Sequence, residues 1–210
     1  MAGRRALTES EISDALRVCV GPFRDRDRLM VLLGRYSGFR LREMLSLRIG
    51  DIVEGKVLAT YIRVKRANLK GGKPMLNEAG EVVRASKISG RSVPMHSRVA
   101  DALARWLQVL REDFGWIERE AFLFQSRSRI NAAISTTQAW RRLADIFQRA
   151  GIRGPVASHS LRKTFARDVF EKLGRDIFLT QHALGHRNPM STVRYLELDE
   201  KRIDRAVLDL

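Results

Sequence analysis

The chain has 210 residues, of which 44% are hydrophobic, and 39 Lys and Arg against 24 Asp and Glu give it a formal net charge of +15. A core of this size needs no disulfide, and the single cysteine excludes an intramolecular one. No Cys and His residues have the spacing of zinc ligands, which excludes a structural zinc site, and no apolar run approaches the roughly 18 residues of a membrane span. We expect a protein of the cytosol or nucleoid whose partner is a polyanion, nucleic acid before any other, because neutralising phosphates releases counterions.

Helical patterns begin near the N-terminus. The sequence Thr-Glu-Ser-Glu at residues 8–11 has the pattern of a capping box and predicts the start of a helix. An apolar stripe over residues 24–37 predicts a second helix, which Gly38 is suited to end in the left-handed conformation. Arg40 should therefore lie just past a helix end, before a short helical stretch that runs through Leu47.

A β-rich segment follows. Residues 57–64 are the best strand candidate because they are rich in β-branched and aromatic side chains. The polar, glycine-containing residues 68–90 lead into Arg-Ser-Val-Pro-Met. This pattern predicts a hairpin with a long loop and a short return strand, and hence a small antiparallel sheet.

The rest of the chain is predicted to be helical. Apolar side chains recur at helical spacing over residues 99–110 and 140–147, with Trp106 and Trp140 expected as core anchors. From residue 161 onward the pattern is helical, with breaks at Gly174 and at residues 185–189. The expected fold class is α+β and mostly α-helical.

Three motifs carry candidate chemistry. They are Ser-Gly-Phe-Arg-Leu-Arg-Glu at 37–43, Ser-His-Ser-Leu-Arg-Lys-Thr-Phe at 158–165 and Ala-Leu-Gly-His at 183–186, with Tyr195 nine residues later. Each is weak alone, because a single tyrosine in a helix usually packs and a single arginine is usually a surface cation. Their combination in this order is specific.

On these residues the chain resembles the catalytic domain of the tyrosine site-specific recombinases, or phage integrases, from about residue 8 to the C-terminus. The resemblance implies a mostly helical domain with a small antiparallel sheet that wraps one side of duplex DNA. By motif position it implies Arg40 and Arg162 as the phosphate-binding arginines, His159 and His186 as the two histidines, Tyr195 as the nucleophile and Glu43 as a supporting carboxylate.

These residue types suit phosphodiester cleavage. Arginine forks stabilise charge on phosphate oxygens without a metal. A phenol, with a reference pKa of about 10, can attack once a base takes its proton, and His159 is the candidate base while His186 can hydrogen-bond a phosphate oxygen. Because the phosphotyrosine conserves the bond energy, ligation should need no ATP, and because the arginines supply positive charge to the phosphate, we expect no metal or other cofactor.

The proton donor for the departing 5′-oxygen is a choice between two lysines. The family uses a lysine in a β-hairpin turn. Lys70, at the start of the predicted turn, is favoured, with residues 73–86 interpreted as an insertion that lengthens the turn; Lys87 is its rival. Lys163 and Arg194, which adjoin the motifs, are expected to contact the DNA backbone.

The resemblance also implies an assembly. Many relatives carry an N-terminal helical domain that clamps the opposite face of DNA, and the stretch before Arg40 is too short for one. We therefore expect one catalytic domain over residues 1–210, as in minimal recombinases such as the fimbrial phase-switching enzymes, or a shortened form of a longer protein. Residues 199–210 have helical spacing and are expected either to pack onto a neighbouring protomer or to fold back on their own core. The expected states are a free monomer and a homotetramer on paired double-stranded DNA sites.

Two other functions are compatible with the same fold. A regulatory or architectural DNA-binding protein would do no chemistry, and loss of Arg40, Arg162 or Tyr195 would be its signature; all three are present. A type IB topoisomerase would use the same phosphotyrosine chemistry to relax supercoils without site preference. The intact motifs favour site-specific strand cleavage and rejoining through a 3′-phosphotyrosine.

Overall fold

The computed structural model describes most of the chain: residues 4–69, 75–77, 79, 82–84, 90–114, 118–126, 132–186, 188–193, 195–196 and 208. Lys70, Lys87, Arg194 and all of the segment 199–210 except residue 208 lie outside the described residues. The chain divides into two compact units, Met1–Phe165 and Ala166–Leu210. In the described part, no helix combines the length and apolar character that a membrane crossing requires.

The first unit opens with two helices that end as predicted. Thr8 caps α1 (Glu9–Arg17): its hydroxyl accepts from the Glu11 N–H at 3.1 Å, and the Glu11 carboxylate accepts from the Thr8 N–H at 2.9 Å. The capping box is thus confirmed. Gly38, with φ of 60°, ends α2 (Arg24–Ser37) in the left-handed conformation, also as predicted.

The core of this unit is built around α2. Every residue from 29 to 35 is buried, and the helix packs against α4 (Ser97–Phe114) and, at its sides, against α1, α3 (Leu41–Leu45) and α5 (Thr136–Arg149). Trp106 on α4 is buried and donates its indole N–H to the Leu123 carbonyl at 2.8 Å, so it is the expected anchor. The same expectation for Trp140 on α5 is wrong, because this side chain is 46% exposed.

Among the described residues of this unit, six short strands form three antiparallel pairs. β1 (Val53–Glu54) pairs with β2 (Val57–Leu58), β3 (Tyr61–Val64) with β6 (Arg91–Pro94), and β4 (Met75–Leu76) with β5 (Val82–Arg84). The predicted return strand is confirmed as β6.

The single strand predicted over residues 57–64 is in fact two. The Ala59 N–H donates to the Ile52 carbonyl at 2.9 Å, whereas the Thr60 carbonyl accepts from the Met95 N–H at 2.8 Å. The backbone therefore changes its hydrogen-bonding partner between these two residues, and β2 and β3 belong to different pairs.

The remaining helices begin and end at the predicted breaks. α6 (Ser158–Lys172) contains the division between the units, and the second unit adds α7 (Ile177–Leu184) and α8 (Pro189–Val193), which pack against each other. The Asp176 carboxylate caps α7 by accepting from the Leu179 N–H at 2.9 Å, and Gly185, with φ of 64°, ends it.

Candidate active site

Arg40 is held at the start of α3 by the carboxylate of Glu43. The Arg40 N–H donates to Glu43 Oε2 and its Nη1 donates to Oε1, both at 2.8 Å. The Glu43 side chain is 2% exposed, whereas that of Arg40 is 31% exposed. A buried carboxylate therefore fixes the orientation of a guanidinium that solvent still reaches, as the supporting position expected for Glu43 requires.

Arg162 reaches the same carboxylate from α6. Its side chain is 1% exposed, its Nη1 lies 3.9 Å from Glu43 Oε2, and it donates a hydrogen bond to the Gly38 carbonyl. Gly38, which accepts this bond, lies two residues before Arg40. The structure thus brings together two arginines that are far apart in the chain.

A third arginine, which the sequence analysis did not single out, joins them. Arg91, at the first position of β6, donates from Nη2 to the Ser37 carbonyl at 2.8 Å and from Nη1 to the Gly38 carbonyl at 3.4 Å, and its Nη1 lies 3.7 Å from Glu43 Oε2. Burial, then the positive charge of Arg162, lowers the pKa of Arg91 to about 9, and Glu43 opposes this shift. The group therefore stays protonated at neutral pH.

These residues form what we call the arginine cluster: Arg40, Arg91 and Arg162 around Glu43. Buried guanidinium groups close together repel one another, and an anion relieves this repulsion. The cluster is therefore suited to bind a phosphate, with the hydrogen-bond geometry of its members already fixed by Glu43 and by the carbonyls at the end of α2.

His159 lies beside the arginine cluster in the first turn of α6. Part of its side chain is open to solvent, and it lines the same cavity as Arg40. Partial burial of the ring, followed by the positive charges of Arg162, Arg40 and Arg4, lowers the pKa of His159. The imidazole is therefore neutral at neutral pH and able to accept a proton. Lys163, the next residue after Arg162, is half-buried on α6.

The second unit positions His186 and Tyr195. His186 follows Gly185; its N–H donates to the Gln181 carbonyl at 3.0 Å, and its carbonyl accepts from Gln181 Nε2 at 2.9 Å. The ring shares a hydrogen bond of 2.9 Å between Nδ1 and the hydroxyl of buried Thr192. The Tyr195 N–H donates to the Thr192 carbonyl at 2.8 Å, and the Tyr195 and His186 ring centroids lie 5.2 Å apart.

The structure therefore assembles the predicted residues as two groups. Arg40, Glu43, His159 and Arg162 lie together in the first unit, and His186 and Tyr195 lie together in the second. Within the described ranges, no group of three or more His, Cys, Asp or Glu side chains is arranged to hold a metal ion. Sequence reasoning missed Thr192. The available signal was its position, six residues after His186 and within one helical turn before Tyr195.

Similar proteins have been identified. Tyrosine recombinase XerA of Thermococcus kodakarensis is 31% identical over 202 residues, which cover 96% of this chain and 61% of that protein. The type 1 fimbriae regulatory protein FimE of Escherichia coli is 30% identical over 197 residues, which cover 93% of this chain and 86% of that protein. The chain thus spans about three fifths of the length of XerA.

The fold has also been observed in solved structures. The XerH site-specific recombinase bound to palindromic difH substrate, a post-cleavage complex, matches with a TM-score of 0.68 at 21% identity, over 98% of this chain and 53% of that one. The expected fold class is confirmed. The model of the phage integrase family matches residues 5–202, nearly the whole sequence, and the chain belongs to that family.

Proposed function

We propose that this chain carries out site-specific DNA recombination, cleaving and rejoining strands through a 3′-phosphotyrosine on Tyr195 without metal or ATP. The observation that carries the proposal is the arginine cluster. Preorganised donors aimed at a phosphate stabilise the charge that develops on its oxygens during phosphoryl transfer. Arg40 offers an accessible guanidinium, and Arg162 adds its charge from a buried position, where water screens it least.

The cleavage step removes one proton from the attacking phenolic oxygen and gives one proton to the departing 5′-oxygen. Neutral His159 takes the phenolic proton of Tyr195, whose oxygen forms a bond to phosphorus while the bond from phosphorus to the 5′-oxygen breaks. His186 donates a hydrogen bond to a non-bridging oxygen. Lys70, or alternatively Lys87, gives its proton to the departing 5′-oxygen. The reverse step, attack by a 5′-hydroxyl, rejoins the strand and restores the phenol.

Double-stranded DNA is the proposed substrate and partner. The net charge of +15 and the names of the relatives support this choice. We further propose a free monomer, a homotetramer on paired sites, and a C-terminal segment 199–210 that packs on a neighbouring protomer. The exposed apolar side chains of Phe178 and Leu179 on α7 are a suitable surface for such a segment. Lys163 and Arg194 remain proposed backbone contacts.

Covalent capture tests the enzymatic proposal. Duplexes that the protein binds are selected from a random-sequence pool and nicked. They should form a covalent protein–DNA adduct with the parent chain and none with Tyr195→Phe, although Tyr195→Phe should still bind them. Binding without an adduct in the parent would favour a regulatory or architectural protein. Relaxation of supercoiled plasmid without site preference would favour a topoisomerase.

A modified leaving group assigns the lysine. A 5′-bridging phosphorothiolate leaves as a thiolate and needs no proton, so it should restore cleavage to whichever of Lys70→Ala and Lys87→Ala lacks the general acid. Rescue of Lys87→Ala alone would make Lys87 the donor. Failure of the sulfur substrate to rescue either variant would reject both assignments.

A further inference from the structure

Trp140 occupies a position that the helical pattern assigns to the core, yet it is exposed. Leu143 and Phe147, one and two turns later on α5, are buried, whereas 46% of Trp140 remains in contact with solvent. An indole gains much from burial, so a tryptophan left on the surface of an otherwise well-packed amphipathic helix points to an external contact.

The exposed indole lines a cavity of about 490 Å³, which we call the Trp140 groove. Its other lining residues include Arg4, Arg40, Arg42 and His159. Among the described residues that line it there is no carboxylate. The groove therefore combines an aromatic face with concentrated positive charge, the combination that nucleic-acid-binding surfaces use.

Two of these cations are left for an external anion. Among the described residues, neither Arg4 nor Arg42 has an acidic partner. Neighbouring arginines differ: Arg5 pairs with Glu11 at 2.5 Å, and Arg142 on α5 pairs with Asp27 at 2.6 Å. No described carboxylate therefore neutralises the charges of Arg4 and Arg42 on the groove wall.

We propose that the Trp140 groove binds the nucleotide adjacent to the phosphate held by Arg40. Arg42 contacts the phosphate of that nucleotide, and the indole of Trp140 lies against its deoxyribose. Arg40 belongs both to the arginine cluster and to the groove, so a strand whose phosphate is bound by Arg40 continues into the groove. Contacts to phosphate and sugar fix the position of the strand and carry no base preference. The inference rests on the proposed function in taking DNA as the ligand.

Binding measurements without cleavage test the groove. In the Tyr195→Phe background, affinity for a fluorescein-labelled random-sequence duplex of about 30 base pairs is measured at several KCl concentrations. Arg42→Gln should weaken binding and reduce the slope of log K against log[KCl] by about one. Trp140→Ala should weaken binding about tenfold with the slope unchanged, because apolar burial against the sugar is lost, and Trp140→Phe should retain most of the affinity.

The matched control is Arg111→Gln, an exposed arginine near the end of α4 that does not line the groove, and it should leave the slope unchanged. An affinity of Trp140→Ala within about twofold of the parent, or an equal slope change in Arg111→Gln, would overturn the proposal. So would an altered oligomeric state of Trp140→Ala with unaltered DNA binding, which would identify a second copy as the occupant. The measurement is repeated with two duplexes of different defined sequence, and a Trp140→Ala loss that differs between them would overturn the sugar contact in favour of a base contact. Failure of the parent to form an adduct would reject the enzymatic proposal and leave this binding test unaffected.

Discussion

The arginine cluster and the stretch that carries His186 and Tyr195, which we call the tyrosine segment, are built in different ways. The cluster collects the end of α2, the start of α3, the first residue of β6 and a residue of α6 around one buried carboxylate. The interactions described for His186 and Tyr195 run to Gln181 and Thr192, within the same short stretch of chain. Charge stabilisation thus depends on tertiary packing, whereas the hydrogen bonds described for the tyrosine segment are local. Substitutions in the cluster should damage folding and activity together, and those in the tyrosine segment mainly activity.

Glu43→Gln should have the largest effect on stability. It removes the negative charge beside three guanidinium groups, and breaking a buried ion pair costs about 3 kcal/mol or more. Urea unfolding should show that loss, whereas Tyr195→Phe should stay within about 0.5 kcal/mol of the parent. Equal stability of the two variants would remove the proposed difference between the regions.

Gly38→Ala should destabilise the protein by about 2 kcal/mol or more. Its φ of 60° disfavours any Cβ, and the added methyl group would overlap the ring of Phe165. Gly55→Ala is the matched control, since Gly55 has φ of 63° and nothing within 4 Å of the added Cβ. It should cost about 1 kcal/mol, the backbone contribution alone, in the same urea experiment. A cost for Gly38→Ala no greater than that of the control would show that Phe165 yields freely.

Thr192→Val should cost about 1 kcal/mol and slow single-turnover cleavage about tenfold, because His186 loses the hydrogen bond that orients its ring. Thr192→Ser keeps the hydroxyl and should retain the rate. An equally slow Thr192→Ser would mean that the methyl group of Thr192 matters and the hydrogen bond does not.

Arg4→Gln should have the smallest effect, a shift in pH dependence. The lowered pKa of His159 places the acid limb of the cleavage rate below its ordinary pKa of 6.5, because protonation removes the base. Removing the Arg4 charge, the smallest of the three cationic contributions, raises that pKa. The acid limb should therefore move slightly to higher pH when the rate is measured at subsaturating DNA, where it reports the free protein. A shift to lower pH would contradict His159 as the titrating base.

Much of this architecture follows from local sequence, and the exceptions have physical causes. The capping box at Thr8 and the end of α2 at Gly38 were predicted because each signal lies within a few residues. The motif residues were predicted because three short patterns and a tyrosine occur in a specific order. Arg91 was missed because its place depends on the pairing of β3 with β6, in which Val64 opposes Arg91 across the long hairpin. Its neighbours in the chain carry no sign of that contact.

Trp140 shows a different limit of prediction from the sequence. Helical periodicity says which side chains share a face, and Leu143 and Phe147 are buried as expected, but it does not say how far the core extends along that face. The division of residues 57–64 into β2 and β3 is of the same kind, since strand propensity is continuous there and only the hydrogen-bonding partner changes.

The end of α2 also acts on the electrostatics of the cluster. Arg91 and Arg162 donate to the Ser37 and Gly38 carbonyls, which belong to the negative pole of a 14-residue helix dipole. The helix that organises the hydrophobic core therefore also stabilises the cations that the proposed reaction requires. Fraying of its last turn would weaken that stabilisation even if every arginine remained in the chain.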